Sequence, residues 1–187
     1  SVQLPAGLSG NIRFVVRTDA TNAINEGANE GDNTSIDDVD LAITTPDLIV
    51  DSVSAPIAAT FGGPFTVTWT VRNQGQTAAS GAWSDRIYLS TDLTLSADDR
   101  IIRTSAAPVG TLGVGEDYEK TDTFNLPLDG TTFDGTYFVI VQTDVTNAVF
   151  EASAENNNVR STLTGTQLEQ PPLPDLAALS ISGPASA

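Results

Sequence analysis

Cysteine, histidine and methionine are absent from this chain of 187 residues. Their absence excludes disulfide bonds, and it excludes metal sites built from thiolate or imidazole ligands. It also excludes catalytic pairs in which a cysteine or a histidine is the nucleophile or the base. A cation held by oxygen ligands is the kind of metal site that this composition leaves open.

Positive charge is scarce as well. Eight Lys and Arg residues, of which Lys120 is the only lysine, stand against 24 Asp and Glu, and the formal net charge is −16. Such a surface repels phosphate backbones and anionic membranes, so we expect no nucleic-acid partner. It would attract cations, or it would keep an extracellular protein soluble in salt.

Long apolar runs are also missing. No stretch approaches the ~20 apolar residues of a membrane span, so we expect no membrane insertion. No signal peptide is visible. The chain starts at Ser1 in the middle of a pattern, which we interpret as a piece of a longer protein.

What the chain does contain is an internal repeat. The stretch "DATNAINEGANEGDN" (19–33) aligns without a gap with "DVTNAVFEASAENNN" (144–158), at an offset of 125 residues. A second pair, "PDLIVDSVSAP" (46–56) and "PDLAALSISGP" (174–184), lies 128 residues apart. We therefore predict the C-terminal part of one repeat in residues 1–45, a complete repeat in 46–173 and the first strand of a third in 174–187. A period near 125 residues is typical of a chain of domains and too long for a solenoid unit.

The complete repeat has the pattern of β-structure. In "FTVTWTV" (65–71), apolar residues alternate with threonines, which is the period of a half-buried strand. Six similar runs lie at 47–54, 85–90, 100–105, 117–126, 136–143 and 158–164, separated by Gly-rich turns. Seven short strands in this length predict an all-β immunoglobulin-like antiparallel sandwich, whose strands we letter A, B, C, C′, E, F and G in chain order.

Several linked motifs carry a family resemblance. "VTWTVRNQGQTAASGAW", "DRIYLSTDLTLSADDRII" and "VIVQTDVTNAVFEASAENNN", together with "PDLIVDSVSAP", resemble the CARDB domain, a cell-adhesion-related module found in bacteria. The resemblance covers residues 46–168 in order. It implies a secreted, tandemly repeated module of large bacterial surface or adhesin-type proteins.

The stretch 144–158, which we call the F–G loop, is rich in oxygen ligands. Calcium takes six to eight oxygens from carboxylates, amides, carbonyls and water. The sequence predicts a calcium site here, with a second site in the copy at 19–33; the candidate ligands are Asp144, Asn147, Glu151, Glu155 and Asn157, and Asp19, Asn22, Glu26, Glu30 and Asp32. The alternative is that Asp and Asn cap backbone groups in a long turn, with the glutamates pointing into water.

The stretch 90–100, which we call the C–C′ loop, is a second candidate for a calcium site, with a weaker pattern. Oxygen-bearing side chains alternate there and include Asp92, Asp98 and Asp99. They resemble the start of an EF-type calcium loop, but neither the glycine at the sixth position nor the acidic residue at the twelfth is present. The pattern favours a polar turn over an ion site.

The two tryptophans lead to different expectations. Trp69 lies on the apolar face of its strand and is expected in the core. Trp83 follows a glycine-containing turn and would either cover the end of the core or stack on a sugar. Exposed stacking would favour a carbohydrate-binding module of a secreted enzyme.

No motif indicates catalysis. The sequence lacks a nucleophile elbow and a phosphate-binding glycine loop, and its carboxylates cluster in turns, so we expect no enzymatic activity. The favoured function is a structural or adhesive repeat of an extracellular surface protein or filament, stiffened by calcium. Its expected partners are neighbouring copies of the same repeat, in the same or another chain, and cell-surface glycans.

The incomplete repeats at both ends raise a further expectation. Ile12, Phe14 and Val16 align with Tyr137, Val139 and Val141 of the complete repeat, where we expect core positions. An isolated hairpin cannot bury such side chains by itself. Either the native chain continues on both sides, or the ends complete one another between molecules.

Overall fold

Two single-turn 3₁₀ helices are the only helices in the described part of a chain that is otherwise built of β-strands and loops. The structure is a computed structural model, and it describes residues 4–5, 7–172 and 174–181. The end of the predicted third repeat, residues 182–187, lies outside the described residues. Within those limits no helix has the length and apolar character needed to cross a membrane.

The strands fall into two groups along the chain. The first group is β1 (Gly10–Ile12), β2 (Val15–Arg17), β3 (Thr34–Ile36) and β4 (Leu41–Ile43). The second is β5 (Leu48–Ser54), β6 (Ala58–Thr60), β7 (Pro64–Asn73), β8 (Ala79–Ser80), β9 (Ser84–Ser90), β10 (Arg100–Ala106), β11 (Thr111–Leu112), β12 (Asp117–Asn125), β13 (Gly135–Gln142), β14 (Val159–Ser161) and β15 (Thr166–Glu169). The 3₁₀ helices are Gly27–Asn29 and Ala152–Ala154. Strands lie at all seven predicted positions of the complete repeat, and the predicted strand 158–164 ends early at β14, with β15 following as a separate strand.

The second group forms two main sheets around one core. One sheet has the order β12-β7-β5, and the other has the order β10-β9-β13-β15-β6, with β14 paired to β13. Apolar side chains from both sheets meet in a single buried cluster, and the largest of them is Trp69. The all-β prediction is confirmed, and so is the core position of Trp69.

Strand β7 shows why this sequence forms a two-faced strand. Phe65, Val67, Trp69 and Val71 are buried, whereas the threonines between them face outward. Thr66 and Thr68 exchange side-chain hydrogen bonds of 2.8 and 2.9 Å with Thr123 and Thr121 of β12. Cross-strand hydroxyl pairs of this kind fix the register of β-strands whose other face is apolar.

The first group of strands folds as a hairpin that has the same register as β13–β15. Gly10 pairs with Ile43, and Val15 pairs with Ile36. At positions 125 residues later, Gly135 pairs with Leu168, and Ile140 pairs with Ser161. The remaining pairs in these ladders keep the same offset, so two distant segments of the chain adopt one backbone arrangement.

A short connection joins this hairpin to β5. The amide of Gln76 donates to the carbonyl of Thr45 at 3.0 Å, and the amide of Gln74 donates to that of Asp47 at 2.8 Å. Gly75 lies between them, and a Cβ atom placed there would be 2.5 Å from the Asp47 nitrogen. The connection therefore lies directly against the 73–77 turn, at a position that admits only glycine without a shift of the backbone.

The C-terminal segment is extended and exposed. Residues 174–181 form no strand in the described structure, and Leu176, Leu179 and Ile181 are almost fully exposed. A strand needs a neighbour to pair with, and residues 174–181 pair with no other strand of the described structure. The assignment of this segment as the first strand of a following repeat stays a prediction.

Candidate functional site

Asp144 shapes the first half of the F–G loop. Its Oδ1 and Oδ2 atoms accept the backbone N–H groups of Ala148 and Val149, each at 2.8 Å. Asp144 itself has a φ angle of 43°, and Asn147 has one of 54°. Asp and Asn tolerate this left-handed region better than most residues, which explains why the sequence places them here.

The second half of the loop is held by two glutamates. Glu155 Oε1 accepts the backbone N–H of Glu151 at 2.7 Å and so closes the turn that contains the 3₁₀ helix. The Glu151 side chain is only 1% exposed. Its Oε1 atom accepts the N–H of Leu48 at 2.6 Å, and its Oε2 atom accepts Nδ2–H of Asn158 at 2.8 Å. Glu151 therefore binds the F–G loop to the start of β5.

This environment changes the acidity of Glu151. Burial raises the pKa of Glu151 to about 7, and the nearby charges of Glu155 and Asp144 act in the same direction, against the hydrogen bonds from Asn158 and Leu48. Two buried oxygens beside it, Glu155 Oε2 and Asn158 Oδ1, have no hydrogen-bond partner among the described residues. A proton is thus more easily held here than on an ordinary surface glutamate.

The copy at 19–33 repeats these hydrogen bonds. Asp19 accepts the amides of Ala23 and Ile24 at 2.7 and 2.9 Å, and Glu30 accepts that of Glu26 at 2.8 Å. Asn22 has the same φ angle, 54°, as Asn147. The difference lies at Glu26, which is exposed where Glu151 is buried. The loop conformation therefore forms without burial of this glutamate.

The predicted calcium ligands of the F–G loop are bonded mainly to amide groups of the protein itself. In the part of the chain that the structure describes, no three acidic residues are grouped as ligands of one ion. Five of the six carboxylate oxygens of Asp144, Glu151 and Glu155 accept amide N–H groups, and Glu155 Oε2 has no partner among the described residues. Asn157 Nδ2 donates to Asp47 Oδ1 at 3.0 Å. The calcium sites remain a prediction of the sequence.

The alternative interpretation of the F–G loop, in which its side chains cap a long turn, holds in part. Asp144 caps backbone groups as that interpretation expects, but the expectation that the glutamates point into water is wrong for Glu151. The sequence carries no local signal for its burial, because the group that Glu151 binds lies 103 residues earlier.

The C–C′ loop is a polar turn. Asp92 accepts the amide of Thr94 at 2.7 Å, and Asp99 accepts that of Ser96 at 2.7 Å. Asp98 accepts the Ser96 hydroxyl at 2.6 Å, and this bond lowers the pKa of Asp98. The three carboxylates thus stabilise their own turn.

A buried polar cluster was not predicted from the sequence. Asp85 is fully buried and accepts hydrogen bonds from Trp69 Nε1 at 2.8 Å, from the Thr143 hydroxyl at 2.8 Å and from the Tyr118 hydroxyl at 2.9 Å. Burial raises the pKa of Asp85 despite these donors. The signal that could have found it is the alternation of β9, in which Asp85 shares the inward face with Ile87 and Leu89.

Trp83 belongs to the same cluster. Its ring is 2% exposed, and Nε1–H donates to the Tyr118 hydroxyl at 3.2 Å. The hypothesis that Trp83 stacks on a sugar is therefore wrong, because neither face of the ring is open to a ligand. Trp83 covers the end of the core.

Comparisons with known proteins bear on this arrangement. No curated protein matches the chain. Among solved structures, the CARDB domain of a Pyrococcus furiosus protein in complex with di-metal ions is 20% identical, with a TM-score of 0.48 over 68% of this chain and 97% of that one. The solution NMR structure of a CARDB domain from Pyrococcus furiosus gives 20% identity and a TM-score of 0.47, over 67% and 97% of the two chains.

A β-glucosidase from Listeria innocua also matches, at 20% identity and a TM-score of 0.37. That match covers 70% of this chain but only 17% of the enzyme. The comparison with protein families matches CARDB over residues 45–162, which include every strand from β5 to β14 and the whole F–G loop. The resemblance inferred from the motifs is confirmed, and the chain belongs to the CARDB family.

Proposed function

We propose that this chain is part of a tandem array of immunoglobulin-like modules in an extracellular surface protein, where it has an adhesive or spacing role. The observation that carries the proposal is the duplicated hairpin. Residues 10–43 reproduce the strand pairing and the loop caps of residues 135–168, most of which lie in the region that matches the CARDB family. Two independent segments would not be expected to share register, caps and left-handed residues.

The connection between the two units supports a spacing role. Thr45 and Asp47 are each hydrogen-bonded to the 73–77 turn, and the hydroxyls of Thr44 and Thr77 lie 2.7 Å apart. Gly75 lets the two backbones approach without an intervening side chain. A linker of four residues that is bound along its length restricts the hinge between neighbouring units, as a spacer requires.

Calcium is not needed for this proposal. The F–G loop is closed by its own carboxylates, and Glu151 attaches it to β5. The ion stays a separate prediction with its own test.

Binding of glycans through an aromatic platform is not favoured. The residue proposed for it, Trp83, is buried, and so is Tyr118. Catalysis is not part of the proposal either. The strong acidity suits an extracellular protein that must stay soluble beside charged cell surfaces.

Labelling of the native cells tests the proposal. Antibodies raised against residues 44–172 should label intact cells of the source organism, and brief protease treatment of intact cells should remove the label. Labelling that appears only after lysis would contradict an extracellular role. The full-length protein should also show further copies of the 125-residue unit, and a gene that encodes a single module would contradict the array.

A further inference from the structure

The outer edge of β12 is an open row of backbone hydrogen-bonding groups. β12 lies at the end of the sheet order β12-β7-β5, and its nine residues form the longest edge strand in the described structure. The edge strands β5 and β10 each contain a register shift, whereas the ladder between β12 and β7 has none. Bulges and short lengths protect edge strands from pairing with other chains, and β12 has neither.

The hydrogen bonds at the two ends of the β7–β12 ladder show which residues face this edge. The Leu126 N–H donates to the Gly63 carbonyl at 2.9 Å, and the Asn73 N–H donates to the Glu116 carbonyl at 3.0 Å. The backbone groups of successive residues in an antiparallel strand point to opposite sides, so the even-numbered residues of β12 bond to β7. The residues whose backbone groups face the open edge are Asp117, Glu119, Thr121, Thr123 and Asn125, and their side chains are all exposed.

The sequence of β12 is self-complementary when two copies are placed antiparallel about Thr121. Lys120 then lies opposite Asp122 of the other copy, and Tyr118 lies opposite Phe124. The remaining facing pairs are Glu119 with Thr123 and Asp117 with Asn125. Opposite charges and aromatic pairs stabilise facing strands, whereas like charges directly opposite each other destabilise them. No facing pair of this arrangement brings two like charges together.

We propose that β12 is an interface between two copies of this chain, which pair as antiparallel edge strands about a two-fold axis at Thr121. The N–H and carbonyl of Thr121 bond to those of Thr121 in the second copy, and the two three-stranded sheets become one sheet across both molecules. A two-fold interface uses the same surface on both copies, and a self-complementary strand meets that requirement. The contact uses residues of β12, so it does not depend on the proposed array.

The charged residues of β12 can make this contact without losing their present bonds. Lys120 Nζ donates to the Ala106 carbonyl, and an ammonium group has three donors. Asp122 accepts Arg103 Nε at 2.8 Å and has further lone pairs for Lys120 of the second copy. A chain with a net charge of −16 repels its own copies, and Lys120 and Arg103 supply positive charge at the seam.

Cysteine substitution tests the register directly, because the chain contains no cysteine of its own. The Cα atoms of a hydrogen-bonded antiparallel pair lie about 5.5 Å apart, within the ~4.4–6.8 Å that a disulfide spans. Thr121→Cys should therefore give a disulfide-linked dimer under mild oxidation. Thr123→Cys is the matched control, since two such cysteines would lie roughly 13 Å apart along the strand and should not cross-link. A mixture of Thr123→Cys and Glu119→Cys should cross-link.

Sedimentation of the 187-residue chain at about 0.15 M salt, which screens long-range repulsion, measures the reversible association. The weight-average mass should rise with concentration from that of a monomer toward that of a dimer. Thr121→Pro removes the N–H that faces the edge, and it should raise the dimer Kd by about tenfold or more because two hydrogen bonds are lost per dimer. Thr121→Ala loses the same side-chain bond to Thr68 but keeps the N–H, so it should leave the Kd nearly unchanged.

Three results would overturn the edge-pairing proposal. The first is a chain that stays monomeric at every concentration, and the second is an association that Thr121→Pro and Thr121→Ala weaken equally. The third is cross-linking of Thr123→Cys alone that is as fast as that of Thr121→Cys. The labelling of intact cells depends on none of these results, so this inference and the proposed function fail separately.

Discussion

The carboxylate of Glu151 accepts the backbone N–H of Leu48 at 2.6 Å, across 103 residues of chain. Strand β5 belongs to one main sheet, and the F–G loop follows β13 in the other. The bond therefore joins the two sheets at the end of the module where the preceding hairpin is connected. Burial of both residues shields it from water.

Removal of this carboxylate should destabilise the module. Glu151→Ala leaves the Leu48 N–H and the Asn158 amide buried without a partner, which costs about 1–3 kcal/mol for each unsatisfied group. Glu151→Gln keeps an acceptor for Leu48 and should cost much less. Urea unfolding followed by tryptophan fluorescence measures the difference, since Trp69 and Trp83 are both in the core.

The first hairpin supplies the control for that experiment. Glu26 holds the same position in an equivalent loop but is exposed, so Glu26→Ala should change the free energy of unfolding by less than about 0.5 kcal/mol. An equal loss in Glu26→Ala and Glu151→Ala would show that the glutamate acts through its own loop and not through Leu48.

The module should become more stable in mild acid. The pKa of Glu151 is raised from its ordinary 4.5 to about 7 in the folded state, so protonation favours folding. The resulting stabilisation is complete below pH 4.5 and is lost as the pH rises through about 7. Thermal unfolding measured from about pH 8 down to about pH 5.5 should show a rising Tm.

Other groups contribute to the same pH dependence. Asp85 has a raised pKa, and the whole acidic chain repels itself less as the pH falls. Glu151→Gln separates these effects, because only the contribution of Glu151 disappears. The variant should have a flatter pH profile than the wild type, and identical profiles would show that Glu151 does not titrate in this range.

The sequence predicted most of the fold because the strands alternate cleanly. In β7 every second side chain is apolar, and the repeat at 125 residues located the matching hairpins without any knowledge of contacts. Local patterns of this kind depend on neighbours within a few residues. They can therefore be recognised from a single sequence.

The site was predicted less well because its contacts are distant in sequence. The F–G loop was recognised as the acidic feature of the chain, but the burial of Glu151 depends on Leu48, and that of Asp85 depends on Trp69, Tyr118 and Thr143. Nothing near Glu151 distinguishes it from Glu26 in sequence, although one is buried and the other exposed. The environment of a carboxylate is a tertiary property.

Gly75 should tolerate no side chain. A Cβ atom at this position would lie 2.5 Å from the Asp47 nitrogen and 2.5 Å from the Pro46 carbonyl carbon, so Gly75→Ala must displace the connection between the hairpin and β5. Overpacking of this kind costs about 1–3 kcal/mol. Gly110 serves as the control, because a Cβ atom placed there would have no atom within 4 Å, and Gly110→Ala should leave the urea midpoint nearly unchanged.

Calcium provides the last test, because the sequence and the geometry lead to different expectations. If Asp144, Glu151 and Glu155 bind Ca²⁺ with a Kd typical of extracellular modules, a tenfold excess over Kd would add roughly 1.4 kcal/mol. Five of their six carboxylate oxygens already accept amide N–H groups of the protein, so we expect the Tm in EDTA and in millimolar Ca²⁺ to agree when ionic strength is held constant. A rise with Ca²⁺ that Mg²⁺ does not reproduce, and that Glu155→Gln removes, would show that the loop rearranges to bind the ion. A rise that NaCl reproduces would instead reflect screening of the net charge of −16.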